Sequence, residues 1–162
     1  MRDFTLKVQL LHEAATAPAF KTAGAAAADL YACEDVVIAP GERLVVNTGI
    51  AVAIPGGYAG WVKSRSGLCR EGKTVDGGLI DSDYRGAIGV QCVNACRAGA
   101  VIADGGEWTS TGWWRIKAGD RIAQLVLFPV ACAQVEVVAE LDETARGSGG
   151  FGSSGLRDGV KP

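Results

Sequence analysis

A chain of 162 residues, 48% hydrophobic and 21% charged, is long enough for one domain with a real core. Its formal net charge is −2 and it has no basic run or arm, which argues against a dedicated nucleic-acid binder; an anionic ligand must be held by local donors. No apolar run is long enough to span a bilayer, and Asp3, Lys7 and Gln9 interrupt the N-terminal apolar stretch, so it makes a poor signal peptide.

The elements read as short strands. Residues 4–10 alternate apolar and polar. Residues 36–38 lead to Pro40-Gly41, residues 44–46 to Asn47-Thr48-Gly49, and residues 50–54 to the turn Pro55-Gly56-Gly57. Residues 58–62, 79–80, 87–93, 113–116, 121–128 and 135–138 complete the set. Such runs, with 23 glycines marking turns and close backbone approaches, predict an all-β sandwich or barrel. Residues 66–71 form the one local helix candidate. The alanine-rich residues 23–28 lack an apolar period and read as a loop or a tightly packed strand. Residues 95–119 are long, Gly-rich and carry Trp108, Trp113 and Trp114; they read as a protruding hairpin or loop whose tryptophans are packing or interface material.

The five cysteines are odd in number and form no CxxC. The one histidine, His12, is distant in sequence from Cys92 and Cys96. No zinc site is expected, and five reduced thiols suit a cytoplasmic protein. A single histidine also leaves a Ser-His-Asp or Cys-His unit without a supporting motif.

Chemistry concentrates in five stretches. In GGLIDSDYRG (77–86), Asp81 follows the apolar pair Leu79-Ile80, so a carboxylate desolvated at a strand end is expected, with Tyr84 as an aromatic floor beside it. Taken alone, the same residues also make a good hairpin turn. AADLYA (27–32) sets Asp29 among small and apolar residues. SRSGL (64–68) puts Arg65, Ser66 and Gly67 in a row, suited to an anion. GDRIAQL (119–125) alternates polar residues along a strand. Asp29, Asp120 and Gln124 offer hard oxygen atoms to a hydrated Mg2+; an Arg65–Asp120 ion pair is the plainer alternative. RGSGGFGSSG (146–155) holds five glycines and three serines. It lacks the Lys-Ser/Thr ending of a Walker loop, yet can wrap phosphates with backbone N–H groups, Arg146 supplying charge and Phe151 stacking on a base.

Together, and in this order, the five stretches resemble the motifs of the homotrimeric dUTP pyrophosphatases (dUTPases) over roughly residues 3–155, nearly the whole chain. The third and fifth carry most of the specificity. The resemblance implies a distorted β-barrel or jelly roll over residues 1–142 and a mobile glycine-rich arm over 143–162. It implies a homotrimer with active sites at its interfaces, each closed by the arm of another chain, and hydrolysis of dUTP to dUMP and pyrophosphate with Mg2+. By that resemblance Asp81 activates the water that attacks the α-phosphorus, and Tyr84 lies under the deoxyribose, where a 2′-hydroxyl clashes. Gly78, Leu79, Ile80 and Gly89 belong to the hairpin that reads uracil. Arg65, Ser66, Gly67 and Gln124 contact phosphates or water. Asp29 holds a water of the Mg2+, Arg146 reaches the γ-phosphate, Phe151 covers the uracil, and Gly152, Ser153 and Ser154 wrap the phosphates. Expected partners are dUTP and two further copies, with no nucleic acid and no membrane; the expected location is the cytoplasm, or a host's cytoplasm for a viral chain.

Residues 95–118 exceed the family's usual hairpin and form an insertion, a possible protein-partner site. A regulatory or binding protein acting through it is the alternative from another class. The sister dCTP deaminases use a glutamate ten residues after the matching aspartate; here that position is Gln91, whose amide cannot shuttle a proton.

Overall fold

The computed structural model describes residues 4–98, 102–104, 107–109 and 112–149. Its strands are β1 (Lys7–Leu10), β2 (Ala28–Tyr31), β3 (Val36–Ile38), β4 (Arg43–Asn47), β5 (Ile50–Ala53), β6 (Tyr58–Lys63), β7 (Lys73–Val75), β8 (Leu79–Ile80), β9 (Gly89–Asn94), β10 (Ile102–Asp104), β11 (Glu107–Thr109), β12 (Trp114–Ile116) and β13 (Arg121–Pro129). The one helix among the described residues, α1 (Ser66–Arg70), falls between β6 and β7. The fold is an all-β jelly roll of the expected class.

Among the described residues all the strand pairings are antiparallel, and most join elements distant in sequence. One sheet runs β2-β13-β6-β8 and another β4-β9-β7; β1-β5, β12-β3 and β10-β11 pair as ribbons. The core is the filling between sheets: Leu30, Ile38, Val46, Ile50, Val90, Ile116, Ile122 and Leu125 are almost wholly excluded from solvent. β2 explains why 27–32 shows no alternation. All four of its residues, Asp29 included, are buried, so the strand is covered on both faces. Residues 23–27 before it lie outside any strand.

Asn94, fully buried at the end of β9, ties down the foot of the insertion. Its Nδ2 donates to the carbonyls of Ile38 (3.0 Å) and Gly112 (2.8 Å), and its Oδ1 accepts from the Cys96 N–H (3.2 Å). One amide thus satisfies three backbone groups where the chain leaves and rejoins the barrel. Beyond that foot, β10 and β11 pair in register from Ile102↔Thr109 to Asp104↔Glu107, the expected hairpin. The tryptophans divide: Trp114 is in the core, Trp113 is half exposed, and the side chain of Trp108 lies outside the described residues.

Three readings need correction. Residues 4–6 are not in β1; Phe4 instead packs against Tyr58 with ring centroids 4.7 Å apart and planes tilted by 55°. Residues 87–88 precede β9 as a connection. Residues 135–138 are not a strand: Val135 is 86% and Val137 95% exposed, because the apolar alternation there meets no partner strand among the described residues. By internal contacts the chain divides into Met1–Cys132 and Ala133–Pro162, and the described part of the second unit holds only turns and irregular chain.

Candidate active site

β8 is an edge strand of two residues, pairing Ile80 with Gly60 and Leu79 with Trp61 of β6. Ile80 turns into the core, while Leu79 remains 67% exposed. Gly78 sits at φ +88°, and a Cβ there would lie 2.7 Å from the Val62 Cβ, so only glycine lets the hairpin lie this close to β6. The result is a cavity of about 220 Å³ lined by Gly78, Leu79, Ile80, Asp81, Tyr84 and Gly89, with Val62, Ala87 and Ile88 behind them. The candidate residues of this hairpin thus line one pocket.

Asp81 itself differs from expectation. It is exposed, not desolvated, because β8 is too short and too marginal to cover it. Its backbone carbonyl accepts from the Tyr84 N–H (3.2 Å), closing a turn. Tyr84 is 46% exposed, and its hydroxyl donates to the Ala87 carbonyl (3.0 Å). Arg85 donates to the carbonyls of Ser82 (2.7 Å) and Tyr84 (2.8 Å), which fastens the loop from inside.

A second cluster surrounds Asp29, which is 3% exposed. Its Oδ2 accepts from Arg121 (3.1 Å) and its Oδ1 from the Gln124 Nε2 (3.3 Å), with the Arg65 Nε 3.7 Å from Oδ1. Strand register creates this meeting: Gln124 of β13 lies opposite Asp29 of β2 on one side and Lys63 of β6 on the other. Arg65 follows β6, precedes α1 and donates to the Arg121 carbonyl (2.8 Å). Ser66 and Gly67 open α1, both exposed. A buried carboxylate is tolerable here because cationic and amide donors hold both its oxygens.

Arg121 is the residue that sequence reasoning missed. Its only signal was its place in the same short stretch as Gln124, since its partner lies 92 positions away. Among the described residues Asp120 does not pair with Arg65. Its Oδ2 accepts from the Lys117 N–H (2.8 Å) and closes the turn before β13. Among the described residues no group of three or more acidic, histidine or cysteine side chains gathers to hold a metal. Asp29, with both oxygens engaged, fits a cation only through water.

The two clusters lie apart. Asp81 continues past Ile80 toward the Ala59 end of β6, whereas Asp29 and Gln124 align with Lys63. An offset of four residues along one strand is about 13 Å. Within one chain, then, Asp81 and Tyr84 do not meet Arg65, Ser66, Gly67 or Gln124. Arg146, in the second unit, donates from Nε to the Gly149 carbonyl (2.9 Å). Phe151, Gly152, Ser153 and Ser154 lie outside the described residues.

The thiols are all free: Cys69 and Cys132 exposed, Cys96 part-covered, Cys33 and Cys92 buried. Burial pushes the Cys92 thiol from 9.0 up to about 12, and it raises Cys33 and Cys96 as well. In the unfolded chain Cys92 ionises first as pH passes 9.0. Its neutral form therefore stabilises the fold fully below that pH, and the contribution is lost between 9.0 and about 12. Urea midpoints are expected to fall from pH 8 to pH 10.5 by more in wild type than in Cys92→Ala; an equal fall in both would rule out this linkage.

The dUTPase family model matches residues 13–106 and 110–155. A deoxyuridine 5'-triphosphate nucleotidohydrolase of Syntrophotalea carbinolica is 46% identical over 96% of this chain and the whole of that protein. One from Paramecium bursaria Chlorella virus 1 is 41% identical over 94% of this chain and 99% of that protein. Among solved structures, the Staphylococcus bacteriophage 80alpha dUTPase mutant with dUpNHpp superposes with TM-score 0.83 at 33% identity, covering 94% of this chain and 99% of that one. A dUTPase mutant from phage phi11 of S. aureus, described with a structural Mg(II) ion, gives TM-score 0.74 at 32% identity, covering 85% and 98%.

Proposed function

From the premise that this chain belongs to the dUTPase family and is a dUTP diphosphatase, hydrolysing dUTP, we propose that Asp81 is its general base. A water between Asp81 and the α-phosphate gives its proton to the carboxylate as its oxygen bonds to phosphorus. The bond from the α-phosphorus to the bridging oxygen breaks, and pyrophosphate leaves from dUMP. The observation that carries this reading is the hairpin pocket: one carboxylate with no side-chain partner among the described residues and one aromatic ring, at the rim of a cavity with a close-packed glycine wall.

Uracil enters that cavity between Gly78, Leu79, Ile80 and Gly89, and the Tyr84 ring lies under the deoxyribose. A pocket built to this fit rejects the thymine methyl, and it leaves the cytosine amino group without its match. Arg65, Ser66, Gly67 and Gln124 take the phosphates. Arg65 is suited to this because Asp29 and the Arg121 carbonyl already fix its orientation. From the arm, Arg146 takes the γ-phosphate, Phe151 covers the base, and Gly152, Ser153 and Ser154 wrap the phosphates, excluding water as a lid does.

Mg2+, carried by the triphosphate, supplies neutralisation of its charge. Asp29 would reach it through water only. The separation of Asp81 from Arg65 within one chain supports sites that combine residues of different copies, as in the homotrimer that the resemblance implies. The β10-β11 hairpin, a sheet of its own, is the surface on which the partner-binding alternative rests; the hydrolytic reading does not require it. Gln91 keeps an amide where deamination needs an acid, and the relatives named above are nucleotidohydrolases.

Pyrophosphate release from dUTP, dCTP, dTTP and UTP, with and without Mg2+, tests the reading. Release is expected from dUTP far above the other three, with Mg2+ raising the rate. Comparable release from UTP would remove Tyr84 as a sugar discriminator, and ammonia release from dCTP would restore the deaminase reading.

A further inference from the structure

Gly86 closes the third motif, two residues after Tyr84, and its φ is not in the left-handed region. Its backbone therefore does not demand glycine. What demands glycine is the Tyr84 side chain: a Cβ on Gly86 would collide with the Tyr84 hydroxyl oxygen and lie 2.6 Å from Cζ and 3.0 Å from Cε2. The tyrosine ring thus folds back over the bare Cα of Gly86. Its hydroxyl ends on the Ala87 carbonyl, 3.0 Å away. The loop is also tied from within, since Arg85 bonds the Ser82 and Tyr84 carbonyls and the Tyr84 N–H reaches Asp81. With the loop backbone tied in this way, the Tyr84 ring is the part with room to give way.

We propose that Gly86 is a positioning residue for sugar discrimination: its missing side chain is the space that sets the pose of the Tyr84 ring. The proposal rests on the reading of Tyr84 as the floor under the deoxyribose. In Gly86→Ala the ring lifts from the Ala87 carbonyl and no longer occupies the place where a ribose 2′-hydroxyl would go. Discrimination then falls, while the chemistry at Asp81 is untouched. Specificity carried by close packing is worth roughly 10–200-fold, so a loss on the order of tenfold is a reasonable scale.

The test compares kcat/KM for dUTP and UTP, and thermal melts, in wild type, Gly86→Ala, Tyr84→Ala and the double variant. The expected result is a dUTP-over-UTP ratio about tenfold lower in Gly86→Ala, carried by a rise in kcat/KM for UTP with kcat for dUTP little changed. The double variant is expected to show no loss beyond Tyr84→Ala alone, because the collision is gone. Any melting loss in Gly86→Ala is expected to be relieved in the double variant. If Tyr84→Ala lowers the ratio and Gly86→Ala does not, the role of Gly86 is refuted while that of Tyr84 survives. If Tyr84→Ala itself leaves the ratio unchanged, the underlying reading of Tyr84 falls. A melting loss that persists in the double variant places the glycine requirement in the backbone and overturns the proposal.

Discussion

Asp81→Asn is expected to lower kcat for dUTP hydrolysis by about 10²–10⁴-fold, the usual contribution of a positioned general base. The substitution is clean because the Asp81 side chain makes no hydrogen bond or ion pair with the described residues. Asparagine keeps its size and leaves the turn intact, since that turn uses the Asp81 carbonyl rather than the carboxylate. The melting temperature should therefore not change. The amide cannot accept the proton of the attacking water, so chemistry is lost. It also removes a negative charge from beside a polyphosphate, so KM for dUTP should stay level or drop. Pyrophosphate release in single turnover, with dUTP binding followed in parallel, separates the two effects. A wild-type rate in Asp81→Asn would mean that the base is another group.

The second large effect is recovery rather than loss. Arg65→Ala removes one guanidinium from the proposed phosphate cradle, yet Asp29 keeps Arg121 and Gln124 and is not orphaned. Arg65→Ala chains alone and Asp81→Asn chains alone are both expected to be nearly inactive. Co-folded in equal amounts, they should regain activity. A site that draws Asp81 from one copy and Arg65 from another is whole in about a quarter of random pairings, by the symmetry of a closed ring. The observation behind this expectation is the register on β6, where Ile80 pairs with Gly60 and leads away from Lys63, the position aligned with Gln124 and Asp29. Were the mixture no more active than its two parents, the site would lie within one chain. Measuring pyrophosphate release against the mixing ratio distinguishes the outcomes.

Read along the chain, the hairpin was legible because its signals are local. Glycines flank an apolar pair, and one carboxylate and one aromatic stand three apart, so GGLIDSDYRG announces both a turn and a pocket. The short helix after Arg65 and the hairpin in the insertion were legible for the same reason: each is made by neighbours in sequence. The strand expected over residues 135–138 failed for the converse reason. Alternation shows that a segment can cover a surface, but not that any strand of the same chain lies beside it.

The sequence by itself determined the all-β class, the order of the five motifs and the residue types that chemistry requires, because turn chemistry, hydrophobic period and side-chain function are properties of short stretches. Only the tertiary structure decided what those residues do to one another. Long-range strand register brought Arg121 onto Asp29 and made that buried carboxylate the holder of Arg65. It left Asp81 exposed at a short edge strand and about 13 Å along β6 from the cluster with which it is proposed to act. Local pattern carries no register between strands, and register is what sets those distances.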